Sequence, residues 1–99
     1  MNTVAATILA QLNGNRFVAM TGAKDFVQSD NSLKFKLGKI SNGISHVKIV
    51  LDCDDLYNVE FLKWNARKLQ MTIVARHTGI YGDMLQDMFT DETGLDTGL

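Results

Sequence analysis

Leu33-Lys34-Phe35-Lys36-Leu37 alternates apolar and charged side chains, and three later stretches keep the same period of two. These are Val47-Lys48-Ile49-Val50-Leu51, Tyr57-Asn58-Val59-Glu60-Phe61-Leu62 and Leu69-Gln70-Met71-Thr72-Ile73-Val74, with Val50 an apolar exception. A period of two places successive side chains on opposite faces of an extended chain, so each stretch predicts a strand with one buried face. Asp25 to Ser29 can add a fifth strand through Asp30-Asn31, a pair that tolerates a tight hairpin turn. Short connections favour antiparallel neighbours, so the expected sheet is a four- or five-stranded antiparallel meander.

Outside the strands the period changes. Thr3 to Leu12 reads as a short helix with Thr3 as cap, Val4, Ile8 and Leu12 on one face, and Gly14 as a stop. Arg16 to Gly22 fits either a strand or a helical turn. Near the end, Tyr81, Met84, Leu85, Met88 and Phe89 recur at helical spacing, and Gly94 is placed to end that helix. An apolar sheet face needs a cover. The expected fold is therefore α+β, with an N-terminal and a C-terminal helix packed on one face of the sheet. Phe35, Ile49, Val59, Phe61 and Met71 would be buried under Met84, Leu85, Met88 and Phe89. Cross-strand pairing predicts an outer row of Asp25, Lys36, Lys48, Glu60 and Thr72, with Trp64 facing Lys68.

The 99 residues predict one domain spanning residues 1–99, with no internal repeat. Hydrophobic residues at 45% and a net charge of −1 argue against disorder. The same balance argues against a strongly basic nucleic-acid binder or a polybasic membrane anchor. Cys53 is the only cysteine, so no internal disulfide can form and a reducing compartment is expected. No apolar run reaches the roughly 20 residues that span a bilayer, and Met1-Asn2-Thr3-Val4 lacks a basic leader, so a cytoplasmic protein is expected.

Each candidate for chemistry has a plainer reading. Asp52, Asp54 and Asp55 offer carboxylates to a hard cation but lack the calcium-loop pattern, and Asp is a common turn former. His46 and His77 have no Cys or His at ligand spacing, and Ser45 beside His46 should point to the opposite face. Met20-Thr21-Gly22-Ala23-Lys24 lacks the Walker pattern. No cofactor is expected. Lys34, Lys36, Lys48, Lys68 and Arg76 lean to the outer sheet face near Trp64, as in sheets that bind single strands. Val50, Leu62, Trp64 and Val74 on that face suit a partner site or a homodimer interface.

Met20-Thr21-Gly22-Ala23-Lys24 with Phe26-Val27, Leu33-Lys34-Phe35, Asp55-Leu56-Tyr57, Ile80-Tyr81, Leu85-Gln86, Phe89 and Thr93-Gly94-Leu95 together resemble a group of small bacteriophage- and prophage-encoded proteins. The resemblance implies a phage or mobile-element accessory protein in a bacterial cytoplasm. The expected function is non-enzymatic binding of a host or phage macromolecule, a host-defence protein among the candidates. The alternatives are nucleic-acid binding through the basic outer face, and an enzyme with a loop-built site.

Overall fold

In the computed structural model, which describes residues 2–38 and 43–97, the alternating stretches are strands. β1 (Lys24–Ser29), β2 (Ser32–Lys36), β3 (His46–Leu51), β4 (Tyr57–Asn65) and β5 (Gln70–Ile80) lie in chain order, each antiparallel to the next. This is the expected meander, with the fifth strand present and Asp30-Asn31 at the β1–β2 turn. The turn after β3 is closed by Asp52, whose Oδ1 accepts the amides of Asp54 (2.8 Å) and Leu56 (3.2 Å). The acidic cluster is therefore a hairpin turn, and one of its carboxylates is committed to the backbone.

Three α-helices flank the sheet: α1 (Thr3–Gln11), α2 (Gly14–Thr21) and α3 (Leu85–Thr93), the last entered through a 3-10 turn at Gly82–Met84. Asn2, rather than Thr3, caps α1, its side-chain oxygen accepting the Ala5 amide at 2.9 Å. Gly14 opens α2 instead of ending the chain's helical start, and Arg16 to Thr21 resolves as helix with Gly22 as its C-cap. Phe17 explains that choice: a helix buries Phe17 and Thr21, one turn apart, against the sheet. At the other end, Tyr81 and Met84 precede α3 and stay exposed, so the cover there comes from Leu85 and Phe89, with Met88 half-buried.

A short repeat does exist. Phe17-x-x-x-Thr21-Gly22-Ala23 ends α2, and Phe89-x-x-x-Thr93-Gly94-Leu95 ends α3. In each, the threonine hydroxyl donates to the phenylalanine carbonyl (2.7 Å) and accepts the amide two residues on (3.2 Å). Both glycines are left-handed, at φ 70° and 74°, which stops the helix without a Cβ penalty.

The core lies between the helices and the inner sheet face. Leu33, Phe35, Val47, Ile49, Val59 and Phe61 are buried on that face as expected. Phe35 is its centre. Phe17 meets it edge-on at 5.4 Å, Phe26 packs at 5.6 Å, and Phe89 lies 6.4 Å away and 5.0 Å from Phe17.

Four of the expected pairs differ. Lys48 does face Glu60, but Lys34 rather than Lys36 faces Lys48, and Lys24 rather than Asp25 faces Lys36. On β5, Glu60 faces Arg76 instead of Thr72, and Trp64 faces Met71 instead of Lys68. The turn at residues 66–69 is longer than assumed, because Leu69 takes a left-handed φ of 51° and Asn65 Oδ1 accepts two turn amides. Beyond it, Phe61 pairs with Ala75 while Leu62 pairs with Ile73, leaving Val74 as a bulge. A single inserted residue exchanges the faces of everything on one side of it. Ala75 and His77 therefore oppose the inward Phe61 and Val59, while Met71 and Ile73 share the face of Trp64 and Leu62. Met71 is not a core residue.

These assignments separate two substitutions. Phe35→Ala, like Phe61→Ala, should lower unfolding free energy by about 3–5 kcal/mol, the usual cost of an emptied aromatic core site. Met71→Ala should cost less than about 1 kcal/mol, as for a half-exposed position. Urea denaturation of the two variants measures the difference.

A candidate binding face on the open side of the sheet

The helices cover one face and leave the other to solvent. Its central row runs Val27, Lys34, Lys48, Glu60 and Arg76, each the cross-strand partner of the next. Arg76 closes on Glu60 through Nε (3.2 Å) and Nη2 (2.6 Å), both to the same carboxylate oxygen. The acid opposite Lys48 is thereby engaged by arginine. A second row runs Lys24, Lys36, His46, Leu62 and Ile73. Two lysine pairs, Lys24–Lys36 and Lys34–Lys48, thus stand directly opposed, an arrangement that costs stability unless a counter-charge arrives. Among the described residues, no carboxylate comes within ion-pair distance of these four lysines.

His46 reports the resulting field. Burial, and then the charges of Lys34 and Lys36, hold its imidazole below its ordinary pKa of 6.5, with Asp25 acting weakly the other way. Its Nδ1 shares a hydrogen bond with Ser45 Oγ at 2.8 Å. Ser45 precedes β3, so strand alternation does not separate the two side chains as the sequence suggested. That contact is the first half of an activated nucleophile. Here, however, the hydroxyl also accepts the Trp64 amide at 2.8 Å and lies 3.4 Å from the Leu62 carbonyl, which ties it to the backbone of β4.

Of the residues singled out from sequence, Lys34, Lys36, Lys48, Leu62, Trp64 and Arg76 share this face. Lys68 does not: it sits in the turn at residues 66–69, its amide bonded to Asn65 Oδ1. Val74 is the bulge residue and drops out of the row expected with Val50 and Asn58. Lys24, Ser45, His46, Met71 and Ile73 are the members sequence reading missed. Lys24 lay one residue before the assumed strand, and the bulge hid Met71 and Ile73. Trp64 (44% exposed), Ile73 (49% exposed), Met71 and the more buried Leu62 form an apolar patch beside the lysines.

The other side of the molecule carries opposite charge. From residue 77 onward the chain has Asp83, Asp87, Asp91, Glu92 and Asp96 but no lysine or arginine. His77 lies edge-on to Phe61 at 6.1 Å and bonds Glu92 Oε1 at 2.7 Å, which pins α3 to β5. The hollow they border holds about 240 Å³, below the usual size of a ligand cleft. Among the described residues, no group of three His, Cys, Asp or Glu side chains is arranged to hold a metal. No described helix is long and apolar enough to cross a membrane. No protein-family model, curated protein or solved structure matches the chain.

The His46 environment sets a pH dependence. A histidine whose folded pKa is depressed takes up its proton more readily when unfolded, so stability is highest above pH 6.5 and falls as pH drops through the folded value. His46→Gln should flatten that fall. Urea midpoints of both proteins at pH 7.5 and pH 5.5, roughly a unit either side of the free imidazole, give the comparison.

Proposed function

We propose that the protein is a non-enzymatic binding module that docks on a host or phage macromolecule through the open sheet face. This is the phage or mobile-element accessory role that the resemblance implies, exercised in a bacterial cytoplasm with host-defence proteins among the candidate targets. The observation that carries it is the placing of two unneutralised lysine pairs against the Leu62, Trp64, Met71 and Ile73 patch. Charge beside exposed apolar area is the composition of a protein interface, where the apolar part supplies affinity and the charge selects an oppositely charged partner. The best-fitting partner is a protein with an acidic rim. The commitment of Ser45 to the backbone and of His77 to α3 supports a binding role over catalysis. No cofactor is part of this reading.

A nucleic-acid partner is the second reading, and the opposed lysine pairs favour it. One exposed aromatic on the face is fewer than single-strand platforms use. Homodimerisation through the same patch is a third outcome, since a symmetric dimer would bury it twice.

Pull-down from bacterial lysate with wild type and face variants tests the reading. Ile73→Glu should abolish recovery of a stoichiometric partner, and Lys34→Glu with Lys48→Glu should weaken it by more than about tenfold and reduce its salt dependence. Asp87→Lys, on the acidic side, should leave it intact. Equal recovery by all variants overturns the assignment of the face. Anisotropy with single- and double-stranded oligonucleotides, and sedimentation of the isolated protein, separate nucleic acid and self-association from a protein partner.

A further inference from the structure

At the end of the open face where β2 and β3 part, the surface sinks into a hollow of about 620 Å³. That volume lies in the range of small-molecule clefts. Lys24 and Lys36 line it beside Trp64, and the buried aliphatic side chains of Leu37 and Ile44 contribute to its wall. Lys24 and Lys36 are direct cross-strand partners, so two like-charged side chains leave the sheet side by side at this end of the face. The backbone of Trp64 is tied to the opposite wall, its amide donating to Ser45 Oγ at 2.8 Å. Gly43 also borders the hollow. It has a φ of +81°, and a Cβ there would stand 3.3 Å from Lys63 Nζ, so both the backbone and the neighbouring side chain favour glycine.

We propose that this hollow binds a nucleoside phosphate, with the base stacked on Trp64 and the phosphate between Lys24 and Lys36. Two opposed ammonium groups match an anion of more than one charge better than a single carboxylate, and lysine binds phosphate as a point charge. A half-exposed indole offers a face on which any base can stack. His46 pairs with Lys36 across the strands, and its pKa is held down first by burial and then by the charges of Lys34 and Lys36. The chemistry is shared by a free mononucleotide and by one residue of a single strand. The inference goes beyond the docking role above: it shares Trp64 and the Lys24–Lys36 pair with that face, while Leu62, Met71 and Ile73 lie outside the hollow.

Trp64 is the only tryptophan, so its fluorescence reports directly on the site. Wild-type protein is titrated with adenosine and uridine monophosphates, adenosine, inorganic phosphate, and a short 5′-phosphorylated single-stranded DNA. Saturable quenching by the mononucleotides is expected, with adenosine and phosphate each at least about tenfold weaker. Lys24→Ala with Lys36→Ala should weaken nucleotide binding by about tenfold or more, with a urea midpoint no lower than that of wild type because a like-charge pair is removed. Lys68→Ala, in the turn at residues 66–69 and off this face, should bind nucleotide as wild type does. Tighter binding of the oligonucleotide than of the mononucleotide identifies a strand as the source, and equal binding identifies the free nucleotide. No saturable change with either, up to about 10 mM ligand, overturns the proposal. So does affinity indifferent to the two lysines, or phosphate alone binding as well as nucleotide.

Discussion

Phe35 sits on the second strand and touches rings from three other elements: Phe26 on β1, Phe17 on α2 and Phe89 on α3. A five-stranded sheet with one apolar face is not stable in water by itself, because that face must be removed from solvent. Three short helices, none longer than nine residues, would likewise be marginal alone. The aromatic cluster solves both problems at once. It joins the helices of the chain's two ends over one strand, and the paired Phe-x-x-x-Thr-Gly endings aim Phe17 and Phe89 at each other. Everything on the open face depends on this arrangement, since the helices occupy one side and thereby leave the lysines in solvent.

The second constraint is the bulge at Val74. Without it, one alternation would run from Met71 to His77, and those two residues could not both sit where they do. With it, His77 turns inward to Phe61 and reaches Glu92, while Ile73 and Met71 turn outward to Leu62 and Trp64. One irregularity therefore fastens α3 to the sheet and builds the apolar part of the binding face. Bulges are frequent where a strand must re-aim side chains near a functional surface, and this one sits between the core and the patch.

Charge is segregated by the same geometry. The strands carry most of the cations, and the segment after β5 carries only acids. A net charge of −1 conceals a molecule with a basic open face and an acidic helical side. Such a separation orients an approaching partner and resists incorrect docking. The opposed lysine pairs are the part that folding alone does not explain, because like charges paired across strands cost stability.

The amino-acid sequence by itself determined the class of the fold. Four alternating stretches, the Asp30-Asn31 turn and the terminal helical spacing specified a meander covered on one face, because side-chain period and burial are local properties. It also placed Lys34, Lys36, Lys48, Leu62, Trp64 and Arg76 on the open side, since an even shift in register leaves faces unchanged. The register itself was decided only in the tertiary structure. The left-handed Leu69, the extra residue at Val74 and the role of Lys24 depend on how neighbouring strands and the packed layer accept the chain, and no local period encodes that. The helical choice for Arg16 to Gly22 was likewise settled by Phe17 finding Phe35 and Phe89, contacts with residues 18 and 72 positions further along the chain.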